Sequence, residues 1–203
     1  MNASFFMSPP NSPSTRQQTD TPSQDKSPLG YPYQTLTTSP QNIRLVPILR
    51  SGLSMTDAIS ALLPSAVPIH HLGLYREKTT LQPVEYYNNL PYHKPSSTLS
   101  SLPSSGTEEE ESAAGDLAII LDPIIATGST LGAAIETLRE AGARRILAIA
   151  VLASATGLAK VAEVWPEGVT VWVGGVDGET DERGMIKPGL GDVGDRLFLT
   201  VGK

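Results

Sequence analysis

The chain has 203 residues, enough for one domain of ordinary size plus some looser sequence. A formal net charge of −6, with no block of Lys and Arg, excludes the phosphate-clamping surface of a nucleic-acid binder. With no cysteine there are no disulfides or thiolate metal sites, and no apolar run approaches the roughly 18 residues of a membrane span. The N-terminus lacks the charged-then-apolar layout of a secretory signal, so a soluble, cytoplasmic protein without membrane or nucleic-acid partners is expected.

Residues 1–40 are rich in Ser, Thr, Pro, Gln and Asn and offer few apolar anchors. Such a segment buries too little surface to offset its ordering entropy, so a disordered tail is expected there and a single domain over 41–203. The run Ile43-Arg-Leu-Val-Pro-Ile-Leu49 predicts a first strand. Met55 to Leu63 reads as a helix, with Ser54 as its N-cap and Pro64 as its stop. Val67 to Leu74 reads as a second strand. Pro91 to Gly115, with three Ser-Ser pairs and the acidic run Glu108 to Glu111, reads as a solvated mobile loop.

Then comes the most regular part. The spacing predicts a strand over 117–121, a helix over 130–141 closed by Gly142, a strand over 146–152, a short helix over 157–164 and a strand over 169–176. Strands alternating with helices in this way point to parallel βαβ units. Trp165 and Trp172 read as packing residues, and His70, His71 and His93 have no metal-ligand spacing.

The most informative stretch is Leu117-Ala-Ile-Ile-Leu-Asp-Pro-Ile-Ile-Ala-Thr-Gly-Ser-Thr130. A buried strand ends on Asp122, a loop of small and hydroxylated residues follows, and a helix begins. Free N–H groups of the helix's first turn converge there, and the helix dipole favours negative charge. Ala126, Thr127, Gly128, Ser129 and Thr130 therefore form a candidate phosphate loop. It matches neither the Gly-x-x-x-x-Gly-Lys-Ser/Thr pattern nor the dinucleotide fingerprint. Asp122, five residues before Thr127, is near the phosphate without being on it, which suits gripping sugar hydroxyls. The plain alternative is a strand, turn and helix with Ser129 or Thr130 as an ordinary N-cap.

Three other segments have the character of a site. Arg50-Ser51-Gly52 follows the first strand, and a guanidinium beside a Gly turn matches two diphosphate oxygens. Tyr75-Arg76-Glu77-Lys78 follows the second strand at the same sheet edge. Finally, Gly184 to Arg196 is an extended, tightly turning loop whose accessible amides and carbonyls suit a flat neutral ring, with Asp192 and Asp195 as further acceptors.

The strand–Asp–Thr-Gly arrangement resembles the type I phosphoribosyltransferases. Together, Val-Pro-Ile-Leu-Arg-Ser-Gly, Tyr-Arg-Glu, Leu-Asp-Pro-x-x-Ala-Thr-Gly and Pro-Gly-Leu-Gly-Asp-Val-Gly-Asp-Arg resemble the uracil phosphoribosyltransferase family over residues 43–203. The Asp122-Pro123 pair is characteristic of the uracil enzymes, other members having two acids there. The resemblance implies an α/β fold, a Rossmann-like parallel sheet flanked by helices with a small hood over the base. It implies the reaction of uracil with 5-phosphoribosyl 1-diphosphate (PRPP) to give UMP and diphosphate in pyrimidine salvage, with Mg²⁺ accompanying the donor.

By the same resemblance Ala126 to Thr130 take the 5-phosphate, Asp122 the ribose hydroxyls, and Arg50 and Arg76 the diphosphate. Ile186, Gly191, Asp192 and Val193 read uracil, and Asp192 also acts near the donor. Asp122, Arg76 and Asp192 form the implied catalytic set. A homo-oligomer and a GTP effector are implied as well. By this resemblance the family's N-terminal arm is expected to be missing or replaced in the first forty residues, Ser129 stands where a second glycine is usual, Ser51 replaces alanine and Met185 an aromatic residue. The alternative is a catalytically impaired relative that binds nucleotide or PRPP in a regulatory role.

Overall fold

The computed structural model describes residues 21–37, 39–77, 80, 82–91 and 116–200. They fall into two units that divide between Asn42 and Ile43. Within the first unit, β1 (Thr21–Lys26) and β2 (Pro32–Thr37) pair antiparallel, Thr21 opposite Thr37 through Lys26 opposite Pro32. This hairpin lies in the stretch whose composition predicts no order. Its cohesion comes from the backbone ladder and the turn, where Gly30 sits at φ 85° and its N–H donates to Ser27 O at 2.8 Å. The Tyr33 hydroxyl adds a bond to Asp25 Oδ2 at 3.1 Å. Residues 1–20 and the stretch 92–115, most of the predicted mobile loop, lie outside the described residues.

The second unit is built on a seven-stranded sheet. In chain order its elements are β3 (Ile43–Leu49), α1 (Leu53–Ser60), β4 (Leu72–Arg76), β5 (Pro83–Asn88), β6 (Leu117–Leu121), β7 (Ile124–Ile125), α2 (Ser129–Glu140), β8 (Arg145–Ser154), α3 (Ala155–Val164) and β9 (Val169–Asp177). After these come β10 (Glu179–Thr180) and β11 (Ile186–Lys187), a two-stranded antiparallel pair, and the one-turn α4 (Val193–Leu197). Across the sheet the strands run β5-β4-β3-β6-β8, with β7 and β9 both paired to β8. Every pairing is parallel except that of β5 with β4.

Side-chain alternation makes the layers. Val46, Ile48, Ala118 and Ile120 face α2 and α3, packing with Leu131, Ile135, Leu138, Leu158 and Val161. Their neighbours Leu45, Ile119 and Leu121 face the other way, toward Met55 and Ile59 of α1. Strands buried on both faces read as continuous apolar runs, which is why β3 and β6 stand out in the sequence.

Local reading misses some boundaries. Ser54 is inside α1 instead of capping it: its hydroxyl donates to Ser51 O at 2.8 Å, and Gly52 is the N-cap. The second strand begins at Leu72, because the chain before it makes only a single bridge, Ile69 to Leu45, and Tyr75 and Arg76 belong to the strand itself. β5, β7, β10, β11 and α4 are too short or too polar to carry a periodic signal. Trp165 packs against the core and under Arg139, whereas Trp172, read as a packing residue, is 49% exposed on the edge strand β9. His70 is structural, its ring bonded to Arg44 Nη1 at 3.2 Å and to Asn89 O at 2.9 Å. Among the described residues no helix is long and apolar enough to cross a membrane.

The wholly buried Ile135 joins α2 to the sheet. Truncation to alanine leaves a cavity, so Ile135→Ala is expected to lower unfolding free energy by about 2–5 kcal/mol in urea titrations.

Candidate active site

In a parallel sheet the carboxyl ends of the strands share one edge, and a ligand crevice forms where the strand order reverses. Here the chain steps from β3 outward to β4, then returns to place β6 on the other side of β3. The reversal therefore lies between β3 and β6. The Arg50-Ser51-Gly52 loop follows one, and Asp122 follows the other. The two loops touch: a Cβ on Gly52 would run into the carbonyl oxygen of Leu121. Glycine is required there by close approach.

Asp122 is buried, with 7% of its surface exposed. Burial pushes its carboxyl up from 3.8 to about 7, against the opposing pull of the Ile124 N–H and the Arg76 guanidinium. Arg76, at the end of β4, donates from Nη1 to Gly184 O at 3.1 Å. Gly184, at φ 72°, also abuts the Thr127 side chain; a Cβ there would lie 2.6 Å from Arg76 Nη1 and 3.0 Å from Thr127 Cγ2. Arg76, Asp122, Thr127 and the start of the C-terminal segment thus meet at one rim.

The candidate phosphate loop is built without a side-chain cap. Gly128, not Ser129 or Thr130, is the N-cap of α2, in the left-handed region at φ 76°. No side chain takes up the first-turn amides there, which leaves them for an anion. Thr127 Oγ1 donates to Ser129 Oγ at 3.3 Å. From behind, Ser154 holds the loop: its buried hydroxyl donates to Ala126 O and accepts from Gly157 N at 2.8 Å, capping α3. Backbone packs on backbone here, since a Cβ on Gly157 would strike the Ala126 carbonyl.

Arg50 is exposed and its guanidinium turns toward the C-terminal segment. It meets Asp195 Oδ1 at 2.8 Å and Thr200 Oγ1 at 3.2 Å, and lies 5.8 Å from the Phe198 ring centre. Asp192 caps α4, its Oδ1 accepting from Asp195 N at 2.9 Å. The segment from Gly184 to Arg196 is thus less irregular than its composition predicts. Its glycines supply positive φ at Gly184, Gly189 and Gly191, while Ile186 is buried in β11. Val193 lines a shallow hollow with Leu190, Arg196 and Leu197. Sequence reading misses Lys160, whose Nζ donates to Ser129 Oγ at 2.8 Å, and Ser154. Nothing local marks either one.

The whole of this arrangement falls within a match to the family model "Uracil phosphoribosyltransferase" over residues 14–200. The chain belongs to the uracil phosphoribosyltransferase family. The match extends N-terminal to the 43–203 span that its motifs cover, across the hairpin. Among individual relatives, urg2 of Schizosaccharomyces pombe is 43% identical over 164 residues, 81% of this chain and 69% of that one. The uracil phosphoribosyltransferase of Roseiflexus castenholzii is 42% identical over 79% of this chain and 67% of its own. The AQ2163 protein from Aquifex aeolicus, a solved structure, superposes with a TM-score of 0.73 at 28% identity, covering 93% of this chain and 79% of that one. Family membership and the parallel sheet agree on a phosphoribosyltransferase-type α/β fold.

The buried carboxyl has a measurable consequence. Between pH 3.8 and about 7 the folded chain keeps the Asp122 proton that an unfolded chain has lost, so stability falls as pH rises through that window. Asp122→Asn removes this dependence. Urea titrations from pH 4 to pH 8 are expected to show the variant gaining on the parent up to about pH 7 and levelling off above it, and a constant difference throughout would mean that Asp122 does not titrate there.

Proposed function

We propose that this chain transfers the phosphoribosyl group of PRPP to uracil, giving UMP and diphosphate. The observation that carries the reading is the meeting of Arg76, Asp122, Thr127 and Gly184 at the carboxyl edge, beside an uncapped helix start. A sugar bearing phosphate at one end and diphosphate at the other needs this set: an anion cradle, an acceptor for hydroxyls and a cation.

In the reaction the C1–O bond breaks with its electron pair leaving on diphosphate, and uracil N1 bonds to C1 and gives up its proton. Positive charge builds on the ribose ring and negative charge on the leaving group. The protein's part is position and charge. The loop from Ala126 to Thr130 holds the 5-phosphate through amides and hydroxyls. Asp122 accepts from the ribose hydroxyls, and in its anionic form it favours the cationic ring from a water-poor site, where charge acts more strongly. Arg76 holds the departing diphosphate. Arg50 joins it by leaving Asp195, an exposed pair worth about 0–1 kcal/mol, less than a charge-assisted contact to diphosphate is worth.

Backbone groups of Ile186 and of Gly191, Asp192 and Val193 read the edges of uracil. Among the described residues no group of three His, Cys, Asp or Glu forms a metal cage. Mg²⁺ would arrive on the diphosphate oxygens, since the ion keeps waters and binds mainly through substrate phosphates. There it would supply charge neutralisation to the leaving group, and Asp192, exposed and capping α4, would contact it directly or through water.

Formation of UMP from labelled uracil and PRPP, with other bases as controls, tests the reading; no product with any base would overturn it. Arg76→Ala is expected to lower kcat about 100-fold or more while KM for PRPP changes less, as for a group that acts on transition-state charge. An unchanged kcat would remove Arg76 from that role.

A further inference from the structure

A phosphate loop with no lysine of its own acquires one from the following βα unit. Lys160 is on α3, and its ammonium donates to Ser129 Oγ at 2.8 Å. Ser129 is the first residue of α2, and its hydroxyl also accepts from Thr127 at 3.3 Å. One corner therefore holds an ammonium, two hydroxyls and the uncapped amides of a helix start.

The placement follows from how α3 is anchored. The Ser154 hydroxyl, bonded both to Ala126 O and to Gly157 N, ties the first turn of α3 to the loop. Gly157 lets the two backbones pack directly. Lys160 stands three residues further on, one helix turn, so it flanks the same loop. Neither ion pair among the described residues involves Lys160, and it rests on a hydroxyl. An ammonium has three donors, and Ser129 takes one, which leaves two for a further acceptor. Arg76 borders the loop from the β4 side, where its Nη1 and Thr127 Cγ2 both flank Gly184, and Arg50 faces the C-terminal segment, so Lys160 is the cation that reaches the loop from α3.

We propose that Lys160 is the cation of the 5-phosphate subsite, aimed by Ser129 Oγ at the terminal phosphate of the sugar. The proposal rests on the phosphoribosyl reading above. Lysine acts here as a point charge on a monoester phosphate, complementing the directional amides of the loop.

Calorimetric titration of the full chain with ribose 5-phosphate, with UMP and with uridine tests it. Lys160→Met is expected to weaken ribose 5-phosphate and UMP by about tenfold or more, as for a lost charge-assisted contact. Lys160→Arg is expected to recover most of that loss, and uridine, which lacks the phosphate, is expected to bind the parent and both variants alike. The parent's affinity for ribose 5-phosphate should also fall more steeply with added salt than that of Lys160→Met. Binding of ribose 5-phosphate to Lys160→Met within twofold of the parent, or equal loss of uridine, would overturn the role of Lys160. If the parent itself bound neither ribose 5-phosphate nor UMP, the phosphoribosyl reading would fall, and the Lys160 role with it.

Discussion

The parallel pairing of β3 with β6, from Ile43 beside Leu117 to Pro47 beside Leu121, decides where the candidate site of this chain lies. Because the two strands run the same way and the strand order reverses between them, their carboxyl ends open onto one crevice. The Arg50 loop leaves one strand and Asp122 leaves the other, and Gly52 brings the loops into backbone contact. A one-residue slip of β3 in this register would turn its faces over, sending Val46 and Ile48 toward α1 and Leu45 toward the α2 side of the core. The two-sided apolar packing therefore holds the site in place as well as stabilising the fold.

Asp122 shows how the same packing shapes reactivity. The carboxyl sits at the end of a strand whose last four residues are buried, so desolvation governs it more than its neighbours do. One N–H and one guanidinium only partly offset that cost. A carboxyl held this way gains little by ionising, and its charge would be favoured only by further donors or positive charge nearby.

The C-terminal segment closes the same edge through contacts that differ in strength. Arg76 reaches its backbone at Gly184 from a part-buried position, while Arg50 reaches Asp195 across an exposed ion pair. The first suits a fixed wall and the second an exchangeable one. On the other side of the phosphate loop, α3 is joined through Ser154 and Gly157 by buried backbone contacts that leave little freedom. The rim is thus held by buried contacts beside the loop from Ala126 to Thr130 and by an exposed pair beside Arg50.

Local sequence was sufficient for whatever depends on neighbours along the chain. The apolar run over 117–121, the helix that follows it and Gly142 at the helix end are visible because periodicity and turn chemistry are short-range. Asp122, Thr127 and the two arginines stand out as candidates for the same reason, each at or close after a strand end. The hairpin over 21–37 was not legible, since its cohesion is a backbone ladder that composition does not encode. Nor was the partner of each site residue: that Arg76 meets Gly184, 108 positions away, that Arg50 meets Asp195, or that Lys160 meets Ser129. Those pairings exist only once parallel strands bring loops distant in sequence to one edge, and no pattern within a window of residues carries that information.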